Sequence, residues 1–251
     1  MTGKITGIYR YPVKSMSAEA LPRVHLSPGK RLPHDRAFAL AHAASRFDPM
    51  APAWQPKNDF LNLVRHERLA KLGCKYDDIT GMLALLRDGK QVVKGNPADQ
   101  MGRTLLEQFL AAFLKEESRG RVRVALGPGV AFTDASAPYV SVINLASVRD
   151  LERVVRAPVD PLRFRANIYF EGDKAWEEMA WVGREISLGV ARARVVEPIG
   201  RCAATNVNPA TAERDLNLPR ALETGFGHCN MGVFAEIVSG GEIAVGDAVA
   251  G

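Results

Sequence analysis

The sequence predicts a mainly β chain with a few helices, an α+β protein of barrel or sandwich type, on three observations. Short apolar runs of β character recur along the chain between Gly, Pro and Asp turns. Only two segments carry helical spacing over several turns. No internal repeat, low-complexity stretch or long linker separates them, so any domains are closely associated. A chain of 251 residues that is 47% hydrophobic has material for one large core or two modest ones.

In order, KITGIYRY, RAFALAH and MLALLRDGKQVVKG read as strands. Within the last, Asp88-Gly89 lies between apolar segments and predicts a two-residue hairpin, because both central residues of a type I′ turn need positive φ. Over residues 103–117, Leu105, Leu106, Phe109, Leu110, Phe113 and Leu114 form one apolar stripe and predict a helix. A strand is expected over 122–126, then an irregular TDASAPY stretch and a strand-to-helix passage, VSVINLASVRDLERVV, capped by Asn144 or Ser147. The remainder returns to β, with Gly240-Gly241 predicting a second tight hairpin.

Net charge is +5, but Lys and Arg are scattered among Asp and Glu, and aromatics make up only 7%. A cleft for a small anion fits this charge as well as a nucleic-acid surface does, and the stacking platforms that single-stranded nucleic acid needs are not evident. No apolar run is long enough to span a membrane, and the first residues lack the apolar core of a signal peptide, so a cytoplasmic location is expected. The three cysteines, Cys74, Cys202 and Cys229, have no C-x-x-C spacing and suggest neither a disulfide framework nor structural zinc. His228 and Cys229 adjoin in sequence, a poor arrangement for two ligands of one tetrahedral ion.

The segment EPIGRCAATNVNPATAERD is the main candidate for chemistry. A β run ends at Pro198 and Gly200, and Cys202, between Arg201 and Thr205, opens a polar loop. A neighbouring Arg favours the thiolate, which is both nucleophile and soft metal ligand. Read alone, Cys202 fits a buried structural thiol equally well. Arg163 and Arg165 are two apart and would share a strand face, while Thr133, Asp134 and Ser136 lie in a loop. Guanidinium forks and hydroxyls suit a phosphate-bearing ligand, but a salt-bridged strand beside an ordinary turn suits the same spacing. Lys14 and Ser15 follow the first strand, and Asp35-Arg36 precedes another. Trp176 and Trp181 are assigned to packing, and Cys74 to an unreactive position. No G-x-G-x-x-G, Walker A or H-E-x-x-H motif occurs.

Taken in order, YPVKS, HDRAFAL, TDASAPYVSVINLAS, RFRANIYFEG, the tryptophan segment, RCAATNVNPAT and the closing GGEIAVGD resemble the MOSC domain preceded by its N-terminal β-barrel domain, in the group that includes the mitochondrial amidoxime-reducing component. The resemblance implies an N-terminal MOSC β-barrel domain over residues 1–100 and a MOSC β-barrel domain over 101–251 that begins with a connecting helix. It implies a molybdenum cofactor, molybdenum held by molybdopterin, with Cys202 as the protein ligand to the metal. By the same match Lys14, Ser15, Arg36, Arg165, Asn167, Arg201 and Thr205 contact the pterin or its phosphate. Asp134 and Ser136 lie near the metal or its pterin, Ser136 as a cofactor contact and Asp134 as the candidate for handling protons. Where relatives often read T-G after the N-P dipeptide, this chain has Thr211-Ala212-Glu213-Arg214-Asp215, expected to reshape the substrate mouth.

The activity implied is reduction of N-hydroxylated small molecules. With no set of four cysteines for an iron–sulfur cluster, electrons are expected from a separate donor, a ferredoxin-like, flavin or haem protein. A monomer without nucleic-acid or membrane partners is expected, and no lysine stands in a Schiff-base setting for pyridoxal phosphate. The alternative is a non-catalytic carrier of molybdenum cofactor, or of sulfur as a persulfide on Cys202.

Overall fold

The structure, a computed structural model, describes residues 2–118 and 120–251. Its strands and helices run β1 (Thr2–Arg10), β2 (Glu19–Leu21), β3 (Arg23–Leu26), β4 (Ala39–Ala41), β5 (Leu72–Tyr76), β6 (Leu83–Arg87), β7 (Lys90–Gly95), α1 (Gln100–Leu114), β8 (Arg123–Ala125), β9 (Val140–Asn144), α2 (Leu145–Val155), β10 (Ile168–Glu171), β11 (Glu185–Leu188), β12 (Ala191–Gly200), α3 (Leu218–Phe226), β13 (Asn230–Ser239), β14 (Gly241–Ala244) and β15 (Ala248–Ala250). Short 3₁₀ turns fill several connections. No helix among the described residues is long and apolar enough to cross a membrane.

Seven strands close into a barrel in the order β10-β9-β13-β12-β11-β15-β1, with β1 pairing back onto β10. The cause is alternation. In β12, Ala191, Ala193 and Val195 point inward while Arg192 and Arg194 point to solvent, so one face of the strand is apolar and must be buried. Ile5 and Ile8 of β1, Val142, Val233, Ile186 and Val249 complete the interior. Strand β1 is long enough to bridge three neighbours: its first residues pair with β15, its middle with β10 and its end with β2. All barrel pairings are antiparallel except β9–β10, which is parallel and is joined through α2. A single βαβ crossover thus sits within an otherwise antiparallel barrel, a detail the alternation alone does not reveal.

A second core gathers Val13, Met16, Phe38, Leu61, Leu72 and Leu85 with Leu106, Leu110 and Phe113 of α1. Two small sheets, β5-β6-β7 and β4-β8, surround it. The cores interleave along the chain. Residues of β1 and β3 and Leu32 pack inside the barrel core, whereas Val207 and Ala212 pack into the second core. A third cluster lies under α2 and α3, which cover the outer face of β9 and β10 through Val148, Leu151, Leu218 and Leu222.

The predicted helix over 103–117 is α1, capped by Asp99 accepting from Gly102 N; of its stripe, Leu105 is exposed. Asn144 caps α2, as expected. The Asp88-Gly89 hairpin joins β6 to β7 with φ of 52° and 75°, as a type I′ turn requires. Gly240-Gly241 forms no hairpin. There β14 leaves β13 and pairs with β3 instead, and a Cβ on Gly240 would come 2.5 Å from Leu26 O, so the glycine serves a close strand crossing. Helix α3, not foreseen, starts with Pro219 in its first turn and ends at Gly227 with φ 74°, the arrangement that lets a nine-residue helix begin and stop cleanly.

Candidate active site

The barrel's outer face and the second core leave a cavity of about 420 Å³ between them. Lys14, Ser15, Arg36, Asp134, Arg165, Asn167, Arg201, Cys202 and Thr205 all line it. Ser136 does not: its side chain is exposed and its carbonyl accepts from Arg31.

Local backbone chemistry places each group. After β1, Tyr11 N donates to Asp35 Oδ1 at 2.9 Å and Lys14 N to Phe38 O at 2.8 Å, fixing the YPVKS turn against the chain at residues 35–38. Ser15, Arg36 and Arg165 take left-handed φ of 72°, 50° and 54° without being glycine. Such conformations carry strain and concentrate where geometry serves function. Arg163 and Arg165 do not share a strand face, contrary to expectation, because Pro161–Phe164 forms a 3₁₀ turn with Asp160 capping it and Arg165 ending it. That turn divides their directions. Arg163 grips both oxygens of Asp215 and donates to Asn206 O, while Arg165 donates to Met16 O at 2.6 Å.

Tyr11 anchors the cationic wall. The guanidinium carbons of Arg36 and Arg165 each lie 4.3 Å from its ring centroid, a double cation–π arrangement. Arg36 also pairs with Asp35 and donates to Arg165 O. Among the described residues Arg165 has no carboxylate partner, and its buried Nη2 has no hydrogen-bond partner. Burial, with the Arg36 charge adding to it, pushes Arg165 down to about 10, and burial takes Arg201 to about 10 as well. Burial likewise lowers Lys14, against the pull of Asp134. Lys14 Nζ donates to Asp134 Oδ1 at 2.6 Å and to Phe132 O at 2.9 Å. For Asp134, burial acts upward but the Lys14 ammonium prevails and holds its carboxyl below the usual range.

Asn167 ties strands together: it accepts from Ser141 N and Oγ and donates to Tyr9 O. Arg201 spends its guanidinium on the carbonyls of Met231 and Phe164, so it frames the wall through backbone. Met231 precedes Gly232, whose φ of 73° and a would-be Cβ 2.5 Å from Val142 O admit only glycine. Cys202 lies two residues beyond β12 and precedes a 3₁₀ turn that includes Thr205, whose N and Oγ both donate to Cys202 O. Its thiol makes no hydrogen bond among the described residues and is partly accessible.

The Thr211–Asp215 stretch lies one layer back from this cavity. Arg214 donates to the carbonyls of Leu63 and Val64, and Asp215 holds Arg163, so it positions wall residues without lining the mouth. Trp181 stacks on Phe170 in the barrel core, and Trp176 donates to Asp150, both in packing roles. Cys229 sits against Glu223, whose carboxylate pushes the thiol up. Sequence reasoning missed Tyr11, Lys57, Asn62, Tyr139, Glu197 and Phe234, all but Tyr11 lining the cavity; only Tyr11, inside YRYPVKS, carried a signal, its adjacency to Lys14.

Six cationic side chains (Lys14, Arg36, Lys57, Arg163, Arg165, Arg201) face three acidic ones (Asp35, Asp134, Glu197) around the cavity. The balance suits an anionic occupant. No group of three or more His, Cys, Asp or Glu side chains among the described residues could hold a bare metal ion. A metal at Cys202 would therefore need its other ligands from the occupant itself, and a dithiolene-bearing pterin phosphate has both the anionic charge and those ligands. On donor chemistry the residues fit that group.

Residues 129–250 match the MOSC domain family. A stretch of 94 residues, 35% of this chain, is 34% identical to human molybdenum cofactor sulfurase, and the match spans only a tenth of that protein. Among solved structures, the YuaD protein of Bacillus subtilis aligns over 99% of this chain and 94% of its own at 11% identity and a TM-score of 0.47. YiiM of Geobacillus stearothermophilus aligns over 44% and 52% respectively, at 20% identity and a TM-score of 0.35. The match takes in six of the seven barrel strands, β9 to β13 and β15, and leaves out β1, so residues 129–250 carry a MOSC domain.

Proposed function

We propose that the cavity binds molybdenum cofactor, with Cys202 as the protein ligand to the metal, and that the protein reduces N–O bonds of small N-hydroxylated molecules with electrons from a separate donor protein. The observation that carries this reading is the convergence of the Cys202 thiol with Lys14, Ser15, Arg36 and Arg165 on one cationic cavity. When bound, the cofactor supplies two-electron chemistry at molybdenum. The chain's own residues bind and orient. Arg165, buried without a carboxylate, and Lys14 supply positive charge to an anionic group. Thr205 fixes the Cys202 backbone so that the thiol faces the cavity. Asp134, held ionised by Lys14, is placed to accept a proton and to steer the Lys14 ammonium.

The similarity of 94 residues to molybdenum cofactor sulfurase favours a second reading, in which Cys202 carries cofactor or persulfide sulfur without turnover. The test is molybdenum and pterin content of wild type and Cys202→Ser from a host that makes the cofactor, with turnover of an N-hydroxy substrate by reduced viologen. Near-stoichiometric metal lost in Cys202→Ser, together with turnover, is expected. Metal without turnover, or cyanide-labile sulfur on Cys202, turns the reading to the carrier, and a wild type with neither metal nor pterin ends both. Asp134→Asn is expected to slow turnover at unchanged metal content; full turnover removes Asp134 from the mechanism.

A further inference from the structure

The loop that carries Asp134 has little structure of its own. Residues 126–139 join β8 to β9 without helix or strand, and none of residues 133–139 is buried, so no core side chain anchors its centre. Its backbone is satisfied by side chains instead. The carbonyl of Phe132 accepts from Lys14 Nζ at 2.9 Å, that of Thr133 from Trp54 Nε1 at 3.0 Å, and that of Ala135 from Thr133 Oγ1 at 2.7 Å. Those of Ser136 and Ala137 both accept from Arg31 Nη2, at 2.5 and 2.9 Å. From 132 to 137 every carbonyl but that of Asp134 thus takes a side-chain donor, whereas most protein hydrogen bonds join backbone to backbone.

Arg31 and Trp54 supply the ties from outside the loop, and both reach it from well-fixed segments. Arg31 is followed by Leu32, which is sealed in the barrel core, and among the described residues its guanidinium bonds to these loop carbonyls alone. Trp54 is 39% exposed and belongs to none of the apolar clusters. Pro52 and Pro56 flank it, each with φ set by its ring, and Pro52 packs so closely on Gly127 that a Cβ there has no room. The consequence falls on Asp134. Its side chain is 60% exposed, so surrounding atoms do not hold it. It meets Lys14 because the loop backbone places it there, and Lys14 is bonded to the same loop through Phe132 O.

We infer that Arg31 and Trp54 are positioning residues: by holding the 133–137 loop at its two ends they set the Asp134 carboxylate against the Lys14 ammonium and fix the geometry in which Asp134 handles a proton. The planar guanidinium aims its two Nη2 hydrogens in fixed directions at successive carbonyls, whereas a lysine ammonium on a flexible stem rotates freely. The indole N–H donates once and accepts nothing, so it ties Thr133 O without competing for the loop's own N–H groups. The inference rests on the proposed function only for the proton-handling role of Asp134; the fixing of the loop stands apart from it.

The test reads the loop first by chemical labelling, which needs neither metal nor turnover. Wild type, Trp54→Phe, Arg31→Met and Arg31→Lys, with molybdenum content recorded, are treated with acetic anhydride, and acetylation of Lys14 is followed by mass spectrometry with alkylation of the buried Cys74 as control. Labelling of a buried amine follows the population of the locally opened state. Loss of the single indole bond is therefore expected to speed Lys14 acetylation about fivefold. Arg31→Met, which removes two charge-assisted bonds, is expected to speed it about tenfold or more, with Arg31→Lys in between and Cys74 protected throughout. In turnover, Trp54→Phe and Arg31→Met lower kcat and leave KM for the N-hydroxy substrate nearly unchanged, and neither lowers kcat further in an Asp134→Asn background, since both act through that residue. Wild-type labelling of Lys14 in Trp54→Phe and Arg31→Met, labelling of Cys74 that rises with it, or a kcat loss that persists in Asp134→Asn overturns the inference. A wild type without molybdenum or turnover overturns the reductase reading alone, since the labelling still judges the loop.

Discussion

Along β9, β12 and β13 the inward residues Val142, Val195 and Val233 are fully sealed from water, while on the outer face of the same sheet Ser141, Glu197 and Phe234 floor the cavity. The inward face is chemically uniform. The cavity wall opposite collects buried cations and three non-glycine residues in left-handed conformation, Ser15, Arg36 and Arg165. The contrast separates what stabilises the fold from what the fold is arranged to hold. Apolar interior contacts contribute stability in proportion to area, whereas a buried, unpaired guanidinium opposes folding and is tolerated only in a rigid frame.

The sharpest way to break that contrast is to cut one residue from each region. Phe170, sealed in the barrel and stacked 5.3 Å from Trp181, is expected to cost about 4 kcal/mol on substitution by Ala. Arg165→Met is expected to change stability by no more than about 1 kcal/mol, in either direction, because it replaces an uncompensated buried charge with an apolar chain, yet to abolish molybdenum retention. Urea unfolding and metal analysis of both variants check this. Equal destabilisation by the two would mean that the cavity wall supports the fold as the interior does.

A smaller effect comes from Glu178, an exception on the barrel's own side. It is fully buried, accepts from Ser147 Oγ, and burial raises its carboxyl from 4.5 to about 7. A carboxyl whose folded value lies above its unfolded one binds more protons when folded. Its stabilising contribution is therefore complete below about pH 4.5 and is lost as pH rises to about 7, up to about 3 kcal/mol. Unfolding free energy of wild type minus Glu178→Gln, followed from pH 4.5 to 8, should fall across that window; a flat difference would place the carboxyl at its ordinary value.

The least effect on stability, and the most local readout, is thiol accessibility. Burial pushes Cys74 up to about 12, so its thiolate population falls on the order of a thousandfold. Native protein should label at Cys202 and Cys229 and at Cys74 only after unfolding. Labelling of native Cys74 would show that the second core opens far more readily than the barrel.

What was legible in the sequence followed from short-range physics. Asp88-Gly89 dictated its turn, Asn144 its cap and the 103–117 stripe its helix, because each signal is complete within a few residues. The ordered motifs marked Cys202, Lys14, Arg36 and Arg165, which meet on one cavity. The failures were all questions of partner. Gly240-Gly241 looks like a hairpin until β3, over two hundred residues away, takes β14. Arg163 and Arg165 look like strand neighbours until Asp160 and Pro161 wind a 3₁₀ turn beneath them. Glu197 and Phe234 gave no signal, since only their cross-strand pairing brings them together on the cavity.

The placement of β1 has a consequence for synthesis. Its partners β10 and β15, which flank it in the closed barrel, lie about 160 and 245 residues further along the chain. A nascent chain carries β1 without its β10 and β15 partners until those strands have been made, so ring closure has high contact order. A fragment cut at residues 129–250, the family's boundaries, would lack that strand and expose the edges of β10 and β15. Supplied separately, a peptide of residues 2–10 should act as a donor strand and restore the ring.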